Sequence, residues 1–332
     1  MNYVYEMPAE MLKPCEKPGK VERFEYDTLT YDVENKPMHK GAWVYLPYGY
    51  DDTKAYNVLY LLHGGNVTED WWFKTFPETV TILDNMMAKG ICAPCIIVAP
   101  TYYRGTEVDK QADFITEHFN IELRRDLIPD IEKHYATYSR QALLALNAAQ
   151  TVASGSQASS NAQSSQVGTS ATQAIAPDAQ GLAPWPENAK SDDALVSVLT
   201  ATRDHRAFAG LSLGSMTTYR AAFYNNFNLF AWYGPFSGCC GPFGDHDKEV
   251  SRILATLKTG EEQGLPLKYM FCGNGDKDIA YAEHTDIMGK VLPQCPQIKP
   301  GENYDFYVIP GGVHDMKAWQ LHLYHALQVF FR

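Results

Sequence analysis

Residues 210–214 (GLSLG) carry a serine in the pattern Gly-x-Ser-x-Gly. An apolar segment, residues 207–209, precedes this pattern and a helical pattern follows it, so the serine is predicted at a sharp strand-to-helix turn. Such a turn strains the serine and exposes its hydroxyl, while the flanking glycines let the strand and the helix approach closely. We therefore predict that Ser212 is a nucleophile. The alternative is a strand–helix turn that happens to contain a serine.

A serine hydroxyl needs a base to remove its proton. In hydrolases with this type of serine turn, an acid and then a histidine follow the serine along the chain. His314 follows the last predicted strand, in PGGVHD, at the sheet edge where functional sites gather. We predict that His314 is the base. The other histidines after the serine lie in a polar loop or on predicted helices, where packing or solvation is the commoner role: His246, His284, His322 and His325.

An acid must orient the imidazole and stabilise its charged form. Asp276 follows the penultimate predicted strand, in CGNGDKD, and we predict that it is this acid. The alternative is a turn aspartate that hydrogen-bonds to its own backbone. Asp278, two residues further on, is not excluded by its spacing and stays open as the acid.

Backbone N–H groups must stabilise the charge that develops on the carbonyl oxygen. One predicted donor is Leu213, the residue after the nucleophile. The other is predicted in the loop after an early strand, where Gly64 and Gly65 permit a close approach to the substrate. His63, which precedes them, is predicted to be a structural residue beside the site rather than a base.

Aromatic residues make up 13% of the chain, and several of them lie near these loops. Flat rings suit an aromatic acyl group or the face of a sugar. Most aromatic side chains in any protein belong to its core, so these residues are candidates only. The substrate-binding candidates are Trp71, Trp72, Tyr102, Trp232 and Trp319.

The segments around these residues alternate between strand and helix patterns. Residues 21–46 are predicted as two strands around a turn, and the apolar residues 58–62 and 95–99 as strands buried on both faces. Residues 111–135 are predicted to be helical because apolar residues recur four apart, with Pro129 as a point where the helix could kink. Further strands precede each predicted catalytic residue. This alternation predicts an α/β fold with a mainly parallel sheet and helices on both faces.

The composition changes abruptly after residue 140. No charged residue occurs in residues 141–177, and Ser, Ala, Gln, Thr and Gly dominate much of this segment. Such a segment buries too little apolar surface to offset the entropy of ordering it. We predict residues 1–20 as an N-terminal extension, residues 21–332 as one domain, and residues 141–202 as a largely flexible, low-complexity insertion within it. A stalk or an interdomain linker is the alternative for the insertion.

The overall composition excludes several functional classes. The 332 residues carry a net charge of −11 without a basic cluster, so no nucleic-acid partner is expected. No stretch approaches the roughly 18 apolar residues of a membrane span, and no basic region followed by an apolar segment marks a secretory signal at the N-terminus. Cys92 and Cys95 form a CxxC pair, but no second pair occurs at zinc-ligand spacing. We predict neither a metal nor a cofactor.

Several motifs occur in a fixed order along the chain: YLLHGG followed by EDWW, then IIVAPTYY, LRRDLIPDIEKHYATY, DHRAFAGLSLGS, GNGD and GGVHDMKAW. In this order they resemble the esterase D-like α/β hydrolases, and among them carbohydrate esterase family 1, which contains feruloyl esterases and acetylxylan esterases. The resemblance covers about residues 20–332 without the insertion, and it implies the α/β-hydrolase fold with Ser212 as nucleophile, Asp276 as acid and His314 as base.

The resemblance implies a serine carboxylester hydrolase, most like a feruloyl esterase that releases ferulic acid from plant cell-wall arabinoxylan through an acyl-enzyme. The implied partners are feruloylated or acetylated plant polysaccharides, with no membrane. Membership of a larger xylan-degrading protein would explain the missing signal. A secreted or cell-surface location is implied, and a cytoplasmic one stays open. Two alternatives remain: an acetylxylan esterase or other small-ester hydrolase, and a non-catalytic carbohydrate-binding module on a hydrolase fold.

Overall fold

The central layer of the computed structural model is a sheet of eight strands in the order β1-β2-β4-β3-β5-β6-β7-β8. The structure describes residues 3–32, 34–104, 119–160, 193–240 and 245–332. The strands are β1 (Lys20–Leu29), β2 (Pro37–Leu46), β3 (Asn57–Leu62), β4 (Cys95–Ala99), β5 (Arg206–Leu211), β6 (Trp232–Phe236), β7 (Tyr269–Gly275) and β8 (Tyr304–Ile309).

The sheet is mainly parallel, as the alternating pattern predicted. Only β1 with β2 and β2 with β4 pair antiparallel, and all the pairs from β4 through β8 are parallel. Every residue of β4 and β5 is buried, which is what a short apolar run in a sheet covered on both faces requires. The carboxyl ends of β5 to β8 therefore meet at one edge of the sheet.

Helices cover both faces of this sheet. The α-helices are α1 (Glu78–Ala88), α2 (Ile128–His134), α3 (Tyr138–Ser160), α4 (Asp193–Ala201), α5 (Leu213–Thr217), α6 (His246–Glu262), α7 (Tyr281–Val291) and α8 (Met316–Leu327). The apolar side chains of α1 and α8 form one core with one face of the sheet, and those of α2, α4, α6 and α7 form a second core with the other face. Shorter π-helical turns span Trp71–Thr75, Leu123–Leu127 and Thr218–Tyr224, and 3-10 turns span Ala9–Met11, Arg203–His205 and Leu292–Gln294.

The helix predicted over residues 111–135 is present from residue 119, and residues 111–118 lie outside the described residues. Its apolar residues spaced four apart are all buried in one core: Phe119, Leu123, Leu127 and Ile131. Pro129 does not end the helix: it is the second residue of α2, where the π-helical turn Leu123–Leu127 passes directly into α-helix.

The prediction of a flexible insertion over residues 141–202 is wrong at both ends of that segment. α3 continues through Ser160, and α4 begins at Asp193. Leu143 and Leu199 are buried in the same core as the sheet. The prediction was made from the composition of the whole segment, which gave too little weight to the few apolar residues, such as Leu143 and Leu199, that pack these two helices against the core. Residues 161–192 lie outside the described residues.

The described residues of the predicted N-terminal extension pack against α1. Met11 is buried, and Asn85 of α1 donates side-chain hydrogen bonds to the carbonyls of Met11 (3.2 Å) and Lys13 (2.8 Å). The Gly19 N–H donates to the Asp84 carboxylate at 2.7 Å. This segment therefore contributes to the core on the α1 face.

Three fully buried histidines are neutral in the folded protein at neutral pH. Burial lowers the pKa of His63 to about 4, and burial lowers the pKa of His284 and of His322 to about 3. In the unfolded chain these histidines bind protons with the ordinary histidine pKa of 6.5. Above pH 6.5 these histidines are neutral in both states, so the folded state keeps its full stability. As the pH falls toward 4 and 3, the unfolded chain binds protons that the folded protein does not, and the free energy of unfolding decreases.

We expect the free energy of unfolding to decrease when the pH is lowered from about 7.5 to about 5, by roughly 2 kcal/mol for each buried histidine. Urea titrations at the two pH values measure this decrease. His322→Leu should show a smaller decrease than the wild-type protein. Equal decreases in the two proteins would contradict the prediction.

Candidate active site

Ser212 lies at the turn between β5 and α5, where the sequence predicted it. Its backbone has φ 53° and ψ −116°, a conformation that side-chain-bearing residues rarely adopt. Strain of this kind persists only where surrounding structure enforces it, and it is typical of a nucleophile held at the top of a strand.

The glycines of the serine motif are needed for close packing at this turn. A Cβ on Gly210 would lie 2.5 Å from the backbone of Gly214, and a Cβ on Gly214 would lie 2.5 Å from the carbonyl oxygen of His63. Any side chain at either position would push β5, α5 and the loop after β3 apart. The close approach predicted for the motif is therefore confirmed.

His314, which follows β8, forms its carboxylate contact with Asp278. The Nδ1 atom of His314 lies 2.9 Å from Oδ1 of Asp278, whose side chain is fully buried. The prediction that Asp276 is the acid that orients His314 is therefore wrong, because Asp278 makes this contact. Asp276 instead accepts a hydrogen bond from the N–H of Gly311 at 2.8 Å, and so ties the loop after β7 to the loop after β8.

The carboxylate of Asp278 determines which ring nitrogen of His314 carries a proton. An ionised carboxylate only accepts hydrogen bonds, so Nδ1 of His314 is the donor and Nε2 is left to act as a base. Burial raises the pKa of Asp278, but the hydrogen bonds from His314 and from the Ala280 N–H outweigh this and hold the net pKa below its ordinary value. Asp278 is thus ionised at neutral pH.

Backbone hydrogen bonds join the loops that carry these three side chains. The Ser212 N–H donates to Phe236 O (2.9 Å), and the Lys277 N–H donates to Gly312 O (2.9 Å). Between them, the Ser237 N–H donates to Gly273 O (2.7 Å). Because β5 to β8 are parallel neighbours, Ser212, Asp278 and His314 all lie at the same edge of the sheet.

The loop after β3 approaches the serine turn closely. A Cβ on Gly64 would lie 3.4 Å from Cβ of Ser212, and a Cβ on Gly65 would lie 3.9 Å from the side chain of Leu213. The structure therefore brings together the residues predicted to bind the oxyanion, namely Leu213, Gly64 and Gly65, beside Ser212.

His63 has both ring nitrogens in hydrogen bonds within this loop. Nδ1 lies 2.8 Å from the carbonyl oxygen of Gly64, and Nε2 lies 2.8 Å from the hydroxyl of Thr101. Burial lowers the pKa of His63 to about 4, so the ring is neutral. With no free nitrogen, His63 cannot serve as the base, and its role in the loop is structural.

Three of the aromatic candidates are buried structural residues and do not line the site. Trp72 donates its indole N–H to Leu62 O (3.1 Å), and the hydroxyl of Tyr102 donates to Gly64 O (2.5 Å). Trp232 is the first residue of β6, at the sheet edge opposite the serine, and donates to Asp204 O (2.7 Å). Periodicity and composition do not distinguish such buried rings from pocket residues.

The other two aromatic candidates differ in position. Trp319 is buried and packs edge-to-face on the His314 ring, with ring centroids 5.0 Å apart, so it supports the imidazole. Trp71 is half-buried in the π-helical turn after the Gly64–Gly65 loop and packs edge-to-face on Phe76. Of the five candidates, Trp71 is the one that is only partly buried.

Two exposed apolar side chains next to the acid and the base were not predicted. Ile279 directly follows Asp278 and is 84% exposed, and Val313 directly precedes His314 and is 47% exposed. Their loops run side by side, so they place apolar surface beside the site. The sequence did contain a clue to these two residues, because Ile279 is adjacent to Asp278 and Val313 is adjacent to His314.

The described part of the chain contains no group of three or more His, Cys, Asp or Glu side chains arranged to hold a metal ion. Within the same residues, no helix combines the length and the apolar character needed to cross a bilayer.

Comparisons with known proteins identify similar sequences and similar folds. The family model described as "Putative esterase" matches residues 38–162. The chain is 26% identical over 328 residues to endo-1,4-beta-xylanase Y of Acetivibrio thermocellus. This alignment covers 98% of the present chain and 24% of the xylanase. The chain thus spans about a quarter of the length of this relative.

Two solved structures are similar along the whole chain. The feruloyl esterase module from Clostridium thermocellum, solved as a serine-to-alanine mutant complexed with sinapinate, is 24% identical with a TM-score of 0.71 and covers 100% of this chain and 94% of that one. A CE1 ferulic acid esterase from Anaeromyces mucronatus, in complex with ferulic acid, is 17% identical with a TM-score of 0.64, covering 100% and 98%. The predicted resemblance and the predicted fold are confirmed: the chain matches the esterase family model over residues 38–162, and it has the α/β-hydrolase fold of these two solved structures.

Proposed function

We propose that this protein is a serine feruloyl esterase that releases ferulic acid from plant cell-wall arabinoxylan through an acyl-enzyme. The observation that carries the proposal is the buried Asp278–His314 hydrogen bond at the sheet edge that also holds the strained Ser212. Similarity to a feruloyl esterase module complexed with sinapinate and to a ferulic acid esterase complexed with ferulic acid supports the aromatic acyl group.

In the first half of the reaction, the hydroxyl oxygen of Ser212 attacks the ester carbonyl while Nε2 of His314 takes the hydroxyl proton. The Asp278 carboxylate orients the resulting imidazolium and stabilises its positive charge. The N–H groups of Leu213 and of the Gly64–Gly65 loop stabilise the negative oxygen of the tetrahedral intermediate. The sugar hydroxyl then leaves with the proton from His314, and the acyl group remains on the serine.

In the second half, water replaces the sugar. His314 accepts a proton from the water as its oxygen attacks the acyl-enzyme carbonyl, and the same N–H groups stabilise the second tetrahedral intermediate. His314 returns the proton to the serine oxygen, which leaves and releases the carboxylic acid. Apart from the substrate and water, these steps use only side chains and backbone groups of this chain.

The surroundings of the site support an aromatic acid over acetate. Ile279 and Val313, the neighbours of Asp278 and His314 in the chain, are exposed and place apolar surface beside the acid and the base. Removing apolar area of this kind from water on binding an aromatic ring is favourable, whereas acetate offers little area to bury.

We expect the wild-type protein to release ferulic acid from methyl ferulate with a kcat/KM at least about 100-fold above that for methyl acetate. Chromatographic assay of both acids, together with acetate release from acetylated xylan, measures this ratio. Ser212→Ala serves as the background control. Release of acetate alone would contradict the feruloyl assignment and favour an acetylxylan esterase, and release of neither acid would favour a non-catalytic carbohydrate-binding module.

We further propose that the chain acts as a module of a larger, secreted or cell-surface, xylan-degrading protein. Support comes from the xylanase relative, in which the matching region forms 24% of the protein. A feruloyl esterase joined to a xylanase would act on the same polymer chain, which raises its effective concentration at the substrate.

A further inference from the structure

The carbonyl of Gly64 is held by two buried hydrogen-bond donors. The hydroxyl of Tyr102 donates to it at 2.5 Å, and Nδ1 of His63 donates at 2.8 Å. A carbonyl oxygen has two lone pairs, so both are occupied. Tyr102 is 1% exposed and His63 is 1% exposed, and neither donor can be exchanged readily for water.

The direction of this carbonyl fixes the direction of an N–H group. In a planar trans peptide, the C=O of Gly64 and the N–H of Gly65 point in opposite directions. Strand β3 lies between β4 and β5. Tyr102 follows β4, and Ser212 follows β5. A carbonyl held toward the β4 side therefore turns the N–H of Gly65 toward the β5 side, where the nucleophile lies.

We propose that Tyr102, with His63, is a positioning residue that aims the Gly65 N–H into the oxyanion hole. This inference rests on the proposed function, because it concerns the negative charge that develops during ester hydrolysis. Tyr102 touches no substrate in this proposal. Tyr102 acts through the peptide group between Gly64 and Gly65. Its hydrogen bond disfavours the opposite orientation of this peptide, in which the Gly64 carbonyl oxygen would face the negatively charged substrate oxygen.

The side chain of Thr101 extends this arrangement by fixing the tautomer of His63. Nδ1 must carry the proton that is donated to the Gly64 carbonyl, so Nε2 accepts the hydroxyl proton of Thr101 at 2.8 Å. The carbonyl of Thr101 in turn accepts a hydrogen bond from Lys40 (2.7 Å), which forms a buried ion pair with Glu122 (2.7 Å). The oxyanion loop is thereby anchored through β4 to β2.

The test compares Tyr102→Phe with Tyr45→Phe. Tyr45 is also fully buried, and its hydroxyl donates to Asp84 at 2.9 Å near the opposite end of the sheet. Both variants lose one buried tyrosine hydrogen bond, and because the bond to the Asp84 carboxylate is of the stronger kind, Tyr45→Phe should lose at least as much stability as Tyr102→Phe. Hydrolysis of 4-nitrophenyl acetate gives kcat and KM, and inhibition by phenylboronic acid reports the oxyanion hole, because its adduct with Ser212 is a tetrahedral anion.

We expect Tyr102→Phe to lower kcat for 4-nitrophenyl acetate roughly 10-fold, a part of the effect of losing one oxyanion donor, with KM nearly unchanged. Inhibition by phenylboronic acid should weaken by a similar factor. Tyr45→Phe should keep the wild-type kcat. If Tyr102→Phe does not fold, Thr101→Val, which frees the His63 tautomer without changing shape, should lower kcat about 3-fold.

An active wild-type protein whose Tyr102→Phe variant keeps its kcat and its boronate affinity would overturn this inference alone. A loss of kcat in Tyr45→Phe equal to that in Tyr102→Phe would also overturn it, because both effects would then follow from stability. A folded wild-type protein that hydrolyses no ester would overturn the proposed function and this inference together.

Discussion

Replacing Asp278 by asparagine is expected to lower kcat for ester hydrolysis by roughly 10³- to 10⁴-fold, with little change in KM. The asparagine amide can donate its own hydrogen to Nδ1 of His314, which moves the ring proton to Nε2. An imidazole protonated at Nε2 cannot accept the proton of Ser212. The loss therefore comes from the wrong tautomer rather than from a displaced side chain.

The matched control for this prediction is Asp276→Asn, which changes the other acidic residue of the same loop. Asp276 contacts the Gly311 N–H, not the histidine, and an asparagine oxygen can still accept that hydrogen bond. We expect Asp276→Asn to keep kcat within about 3-fold of the wild-type value. Measured kcat values in the reverse order, with Asp276→Asn the more damaged variant, would contradict the assignment of Asp278.

Ser212→Ala is expected to lower kcat by roughly 10⁴- to 10⁶-fold, to a rate that only binding and oxyanion stabilisation support. The variant lacks the oxygen that forms the acyl-enzyme, so no base can rescue it. The strained backbone at φ 53° is retained, because Gly210 and Gly214 still enforce the close turn. Steady-state assays with methyl ferulate measure the loss.

The control for Ser212→Ala is a measurement of its free energy of unfolding, which shows whether the lost activity comes from a loss of folded protein. Ser212 makes its described turn contacts through the backbone, such as its N–H to Phe236 O (2.9 Å), and these contacts do not depend on the hydroxyl. Urea unfolding should therefore give a free energy within about 1 kcal/mol of the wild-type value. Substantial hydrolysis by a folded Ser212→Ala protein would contradict the proposed mechanism.

Strands β3 and β4 could be predicted from local patterns because each is a short apolar run, with glycines soon after β3 and a proline on either side of β4. Residues 58–62 and 95–99 are buried throughout in the structure. The serine turn was also predictable, since Gly210 is required by its close contact with the backbone of Gly214, four residues further along the same turn. Such features depend on local geometry, which the residue types report directly.

The choice between Asp276 and Asp278 could not be made in this way. Both follow β7, and the difference lies in direction: one carboxylate meets the backbone of Gly311, and the other is buried against His314. That direction depends on how the loops after β7 and β8 pack together. A Cβ on Gly275 would lie 2.1 Å from Gly312 O, so this packing is tight, but no local pattern encodes it.

The aromatic candidates show a similar limit. Trp72, Tyr102 and Trp232 are buried, and each donates a hydrogen bond to a backbone carbonyl. Their polar atoms satisfy backbone groups inside the fold, which buried tyrosine and tryptophan commonly do. The sequence shows how many rings are present near a loop, whereas the packing of the loop decides which rings face the substrate.

The most direct test of the proposed mechanism is to trap the acyl-enzyme. Wild-type protein is mixed with methyl ferulate, quenched in acid during turnover, and analysed by intact mass and peptide mapping. We predict one feruloyl group on Ser212, and none in Ser212→Ala treated in the same way. A feruloyl group on another residue, or turnover that persists in Ser212→Ala, would contradict the mechanism.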